Sequence, residues 1–473
     1  MATKQNFIYN LMGSFVPLLV GLITIPIYLK LIGADRFGVL SIVWLILGYF
    51  SLFNLGMGKA VTVELCNVEK TKFTSGQIFF TALLINIFFS VVAILIFYGT
   101  YHLFGIPIKT EPSILNELSK TIFWLSLILP LAIIGSIFGG VLQAYERFLL
   151  GNIITTLTSI LSMVVPIAVA YFYSISLTIL IPVIFVIRFI VSLIMFFICL
   201  KLINPTHLNF SLAIAKRLLG FGGWITLTSI ISPIMVIMDR LVISYLHGAK
   251  FVTLYTIPYQ LTEKINLLAM SVTNTIYPKI AKSDIEHAIS IAVKSLRYLL
   301  ALNTPLVVIG IFALKPFLSM WIGSEFANNT AVVAKLLLVS LWINGLAFIP
   351  DTFLQATSRP NINAKIHALE VFPYLVLLYL SLKYWGIEGA ALASGIRFFV
   401  DFILLSQLSG LLKFFKKISL LPFFTVGLAL FGSFLNDVRL QLLVLLISEI
   451  ILFFYFYDIY MENFQLLKNR LFR

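Results

Sequence analysis

Charge is scarce in this chain. Of its 473 residues only 11% are Asp, Glu, Lys or Arg, against about a quarter in an ordinary soluble domain. A water-soluble fold of this length needs a far more polar surface, so a soluble enzyme or carrier is excluded. Cysteine is nearly missing as well. Cys66 and Cys199 stand far apart, with no C-x-x-C and no neighbouring histidine, which excludes a disulfide framework and predicts no metal site. Histidine is equally sparse: His102, His207, His247, His287 and His367 fall in loops or at the ends of apolar runs, without metal-ligand spacing. There is no D-x-D, no G-x-S-x-G and no loop long enough to fold as a catalytic domain; the largest, near 101–120 and 279–296, are short. Neither enzymatic chemistry nor a bound cofactor is expected. A cleavable signal peptide is not expected either, because the first apolar run, 8–32, is too long for a signal core.

What the chain has is apolar surface. Hydrophobic residues make up 60% and the mean hydropathy is +1.04. A bilayer crossing takes about 20 mostly apolar residues. Runs of that kind fall at 8–32, 37–58, 77–100, 121–142, 150–173, 177–200, 222–246, 252–278, 297–321, 331–357, 363–383, 388–411, 418–435 and 439–458, fourteen in all. The net charge of +14 would suggest nucleic acid in a soluble protein. Here the basic residues crowd into alternate short connections: twenty Lys or Arg lie on the side that holds the N-terminus and eight on the other. That asymmetry predicts a multi-pass membrane protein with both termini cytoplasmic, and no nucleic-acid partner.

The chain also repeats itself. L-I-G-A-D-R-F at 31–37 matches L-H-G-A-K-F at 246–251, L-Q-A-Y-E-R at 142–147 matches L-Q-A-T-S-R at 354–359, and I-R-F-I-V at 187–191 matches I-R-F-F-V at 396–400. Three matches in the same order at nearly one offset predict duplication of a six-span unit. An even number of spans makes the copies parallel. The expected fold is all-α and polytopic: a six-helix lobe at 1–205, a second at 206–412, a cavity between them, and two additional transmembrane helices with a cytoplasmic tail at 413–473.

Ionisable residues inside spans are costly and mark interiors or watery cavities. Arg188 lies mid-way along span six, Asp239 and Arg240 in span seven, Glu263 and Lys264 near the centre of span eight, and Lys335 at the start of span ten. Glu370 falls in span eleven, Arg397 and Asp401 in span twelve. Arg397 and Asp401, four apart on one face, are placed to neutralise each other. Asp239 and Arg240 point about 100° apart and do not make a same-face pair. Arg240 is also within reach of the outer interface by snorkelling, and Lys59 doubles as an ordinary cytoplasmic-edge anchor. Pro17 and Pro26 in span one and Pro258 in span eight predict breaks in those helices. A buried carboxylate is the usual carrier of a coupling ion, and Asp239, Glu263 and Asp401 are the candidates.

Several segments carry a family resemblance: P-I-Y-L-K-L-I-G-A-D-R-F-G at 26–38, Y-F-S-L-F-N-L-G-M-G at 49–58, M-D-R-L-V-I-S at 238–244, L-Q-A-T-S-R-P at 354–360 and G-I-E-G-A-A-L-A at 386–393. With these the chain resembles the O-antigen and polysaccharide flippases of the Wzx type, in the superfamily that also holds lipid II flippases and multidrug/cation antiporters. The resemblance implies a flippase of the bacterial inner membrane that moves undecaprenyl-pyrophosphate-linked glycan to the outer leaflet by alternating access, coupled to an ion. Membrane lipids, a polysaccharide polymerase and chain-length proteins are the further partners it implies. It also implies a cavity lined by spans one, two, seven and eight, which singles out Lys59, Arg240 and Lys264 as phosphate contacts, with Arg188 as a further candidate. A pyrophosphate is anionic, and cations in a low-dielectric cavity hold it well. Lipid II flippase and multidrug/cation antiporter stay open as alternatives; the excess of intramembrane cations favours an anionic cargo over a cationic drug.

Overall fold

The computed structural model describes residues 2–50, 57–66, 73–105, 108–205, 208–357 and 359–462. The tail from 463, His207 and most of the 49–58 segment lie outside the described residues. Among the described residues the secondary structure is helical throughout, with no strand. The helices are α1 (Ala2–Phe50), α2 (Met57–Cys66), α3 (Ser75–Phe104), α4 (Pro112–Ala144), α5 (Phe148–Phe172), α6 (Leu177–Ile203), α7 (Leu212–His247), α8 (Ala249–Thr262), α9 (Asn266–Ala281), α10 (Ile285–Trp321), α11 (Ser324–Ala356), α12 (Pro360–Leu408), α13 (Leu412–Gly432) and α14 (Val438–Tyr455). Nine of the helices in these residues are long and apolar enough to cross a membrane. With α1 and α12 each bent into two arms, α8 and α9 taken as one crossing, and α2 lying almost wholly beyond the second run, the helices account for the fourteen runs. The two connections expected near 101–120 and 279–296 are mostly helix, since α4 begins at Pro112 and α10 at Ile285.

The bends fall at glycine. Gly33 (φ 78°, ψ 169°) divides α1 and Gly386 (φ 58°, ψ −145°) divides α12; a side chain would make either conformation strained. The prolines behave differently from expectation. Pro17, Pro26 and Pro258 are all carried inside helices, and span eight tightens a few residues later into a single 3-10 turn at Glu263–Ile265.

The sequence repeat recurs in the backbone. Gly248, the counterpart of Gly33, adopts φ 103°, ψ 169°, nearly the same elbow. At the second match, the Arg147 amide donates to the Leu142 carbonyl at 2.7 Å and the Arg359 amide to the Leu354 carbonyl at 2.8 Å. Tyr145 and Thr357 close their helices at φ −92° with ψ 14° and 22°. Two stretches of different sequence thus make the same turn with the same hydrogen bond.

The chain forms two compact units, Met1–Thr253 and Leu254–Arg473. In the first, α2 and α4 approach backbone to backbone. A Cβ on Gly58 would lie 2.7 Å from the Ser136 carbonyl oxygen, and the Thr62 hydroxyl donates to the carbonyls of Gly58 and Gly140, each at 2.9 Å. This is the small-residue contact that lets membrane helices pack closely where lipid supplies no hydrophobic drive. Around it lies an apolar core of Met57, Val61, Phe79, Phe138, Val141 and Cys199. Cys199 is buried there and Cys66 is exposed, both as free thiols. Tyr28 ties α1 to α5 by donating to the Met163 carbonyl at 2.7 Å, and its ring meets Phe37 and Trp44 at 5.8 and 5.3 Å.

In the second unit α11 is the central helix. Its Ser340 hydroxyl contacts the Ala391 carbonyl of α12 at 3.1 Å. Ser394 sits between the hydroxyls of Tyr255 and Tyr374, at 3.2 and 3.3 Å. Lys335 of α11 holds the end of α13. Its Nζ donates to the Ser433 carbonyl at 3.0 Å, at the end of α13, and lies 5.0 Å from the centre of the Phe434 ring. A cation at a helix C-terminus meets the negative end of the helix dipole, which is where such a group is most useful.

Candidate functional site

Intramembrane charges are the groups that could do chemistry here, and each unit buries its own set. In the first unit, Asp239 and Arg240 of α7 are 3% and 1% exposed. They pair, Arg240 Nη1 lying 3.7 Å from Asp239 Oδ2. Their Cα–Cβ directions diverge as the helix requires, but the arginine stem is long enough to turn back to its neighbour. The same burial means that Arg240 does not snorkel. A buried ion pair contributes little net stability, because desolvation offsets most of the attraction, while losing one partner leaves a costly bare charge.

The other cations of this unit stand on separate elements. Arg188 of α6 is half-buried, and its Nε has no hydrogen-bond partner. Lys59 of α2 is exposed, although Gly58 beside it is pressed against α4. Arg36 and Glu117, which the sequence reading had passed over, form a two-point ion pair at 2.7 and 3.3 Å. Glu117 Oε2 also accepts the Leu177 amide at 2.9 Å. One carboxylate therefore holds the second arm of α1, the start of α4 and the first turn of α6. The Arg36 guanidinium is in turn held further toward its charged form by that carboxylate.

In the second unit, Glu263 and Lys264 occupy the 3-10 turn between α8 and α9. Lys264 is exposed and Glu263 half-buried. The chain stays helical through this turn, Thr262 and Asn266 on either side keeping right-handed helical φ/ψ, and a short 3-10 stretch inside a helix tightens it locally. Asp401, on the second arm of α12, is only 7% exposed. Its Oδ1 lies 3.7 Å from His367 Nδ1, and the same nitrogen is 4.0 Å from Glu370 Oε2. His367 stands near the start of α12, and linear spacing could not have joined it to Asp401 across the Gly386 bend. The only local signal was the His367–Glu370 separation of one turn. Arg397 lies 4.8 Å from the centre of the Tyr374 ring and 4.4 Å from that of Phe398.

The arrangement supplies cations able to meet an anion and buried carboxylates able to hold a cation. Comparison with known proteins gives this chemistry a context. The profile of a family described as "Polysaccharide biosynthesis protein" matches residues 3–284. A Shigella flexneri protein that carries the name "Putative O-antigen transporter" is 28% identical over 416 residues, 86% of this chain and 98% of that protein. Among solved structures, the lipid II flippase MurJ in an inward closed conformation aligns with a TM-score of 0.72 at 18% identity, covering 97% of this chain and 100% of that one. An inward-facing multidrug resistance MATE family transporter of the MOP superfamily aligns with a TM-score of 0.63 at 14% identity, covering 86% and 98%. At these identities the structures establish the transporter fold.

Proposed function

The chain belongs to the polysaccharide biosynthesis protein family, and from that membership we propose that it is a flippase for lipid-linked oligosaccharide. Its substrate is a polyprenyl-pyrophosphate-linked repeat unit of a surface polysaccharide, carried from the cytoplasmic to the outer leaflet of the inner membrane by alternating access. The observation that carries this reading is the end-to-end match to the O-antigen transporter relative, 98% of whose length is covered. The intramembrane cations suit it. Arg240, Lys264, Lys59 and Arg188 are the groups we assign to the pyrophosphate, whose charge a low-dielectric setting makes easy to hold. Coupling to an ion gradient is assigned to the carboxylates Asp239, Glu263 and Asp401. The protein moves its substrate without making or breaking covalent bonds in it, and a polymerase and chain-length proteins act on the delivered glycan.

The test follows the glycan lipid in cells lacking the protein. Completed oligosaccharide-lipid should accumulate on the cytoplasmic leaflet while surface polysaccharide is lost, and the intact gene should restore both. Normal surface glycan with altered drug or dye tolerance would overturn the reading.

Lipid II is the second reading, favoured by the fourteen crossings and by the fold shared with the lipid II flippase. Complementation separates the two. Rescue of a strain depleted of its lipid II flippase, with surface polysaccharide unaffected by loss of this protein, would establish lipid II as the cargo.

A further inference from the structure

The cluster on α12 buries two carboxyl groups and leaves three of their oxygens without a hydrogen bond. Glu370 is 8% exposed and Asp401 7%. Neither oxygen of Glu370, nor Oδ1 of Asp401, receives a hydrogen bond. The charges that act on Asp401 are Glu370, His367, Arg397 and Asp351. Asp351 of α11 is already engaged: Gln355 Nε2 donates to its Oδ2 at 2.8 Å, and Asn363 donates to its carbonyl at 3.1 Å and to its Oδ1. Three carboxyl groups, one guanidinium and one imidazole thus meet in a small and mostly buried volume. A bare carboxylate in such a place is strongly disfavoured unless a cation joins it.

The donor set says which cation. One ligand atom from each of His367, Glu370 and Asp401 lies within 4.8 Å of the others. Around a zinc-sized ion, with bonds of about 2.0–2.2 Å, neighbouring donors sit about 3.3 Å apart. The 3.7 and 4.0 Å separations at His367 Nδ1 need only a small contraction to reach that. Alkali ions and Mg²⁺ take oxygen donors, whereas an imidazole nitrogen with carboxylates suits a divalent first-row transition metal. We propose that His367, Glu370 and Asp401 form a binding site for a divalent transition-metal ion, which bridges the two arms of α12 across the Gly386 bend. The site is independent of the transported substrate. When filled it takes Asp401 out of ion coupling and leaves Asp239 and Glu263.

The full-length protein, purified without a histidine tag and stripped with chelator, is titrated with Co²⁺ and then Zn²⁺. The expected result is one Co²⁺ per chain with visible d–d absorption, displaced by stoichiometric Zn²⁺ and unaffected by a large excess of Na⁺. Asp401→Asn and His367→Gln should weaken binding by about tenfold or more, because even the outer partners of metal ligands are worth that much. His287→Ala, at an exposed position outside the cluster, should bind as the unaltered protein does. A thermal melt on each variant reports folding, and the titration of the unaltered protein decides the matter should a variant fail to fold. Absence of stoichiometric Co²⁺ binding, displacement by Na⁺, or equal binding by folded Asp401→Asn and His367→Gln proteins would overturn the proposal.

Discussion

Arg36 and Glu117 hold each other at two points, Nη2 to Oε1 at 2.7 Å and Nε to Oε2 at 3.3 Å, and the same carboxylate receives the Leu177 amide. Three segments of the first unit are joined at one side chain that is mostly shielded from solvent, 18% exposed. Charge-assisted and two-pronged, such a contact is among the stronger ones a protein makes. Glu117→Gln keeps an acceptor for one donor and loses the charge; it should cost about 1–3 kcal/mol. Arg36→Met in addition should cost less than the two single changes summed, because the pair acts as a unit. Thermal unfolding of the detergent-solubilised single and double variants checks this, and strict additivity would show that the two groups are not coupled.

Arg240 combines a proposed role toward the substrate with a structural one, and the ion pair with Asp239 allows them to be separated. Arg240→Ala removes the guanidinium that pairs with a buried carboxylate, with a cost of up to about 3–5 kcal/mol, so both protein abundance and surface glycan should fall. Asp239→Asn combined with Arg240→Met removes both charges and should bring abundance back toward normal. If the guanidinium holds pyrophosphate, surface glycan per molecule of protein is lower in the double variant than in Asp239→Asn alone, which carries the loss of the carboxylate's coupling role by itself. Recovery of glycan together with abundance would leave Arg240 with a structural role alone.

Lys264 offers the cleaner experiment because it is exposed on the turn between α8 and α9. Lys264→Ala should leave abundance and melting temperature within the small range of surface substitutions, about 0.5 kcal/mol, while lowering surface glycan. Lys264→Arg should retain more function than Lys264→Ala. Equal glycan in all three proteins, measured at equal abundance, would remove Lys264 from the cationic set.

Hydropathy located the apolar runs and the repeat paired Gly33 with Gly248, because both signals depend on local composition. That the paired glycines form elbows at positive φ became visible only in the backbone. Contacts made across the bundle were not. Glu117 carried no mark in the sequence of its bond to Arg36, 81 positions away. His367, near the start of α12, likewise carried no mark of its approach to Asp401 beyond the Gly386 bend. The prolines misled in the opposite direction: a missing amide can be absorbed within a packed membrane helix, where hydroxyls and neighbouring groups satisfy what it frees.

The contact between α2 and α4 gives a test that two adjacent glycines carry between them. A Cβ on Gly140 would fall on the carbonyl oxygen of Gly58, well inside contact distance, whereas a Cβ on Gly139 would meet nothing within 4 Å. Both lie in the interior of α4, where alanine is the better helix former by about 1 kcal/mol. Gly139→Ala should therefore be neutral or stabilising. Gly140→Ala must force the helices apart, disturbing the two carbonyl contacts of Thr62 and the apolar core around Phe138 and Val141. Overpacking of this kind costs about 1–3 kcal/mol, enough to lower abundance and melting temperature visibly. Gly140→Ala as stable as Gly139→Ala would mean that α2 and α4 do not meet backbone to backbone. The opposite order of stabilities would place the close contact at Gly139.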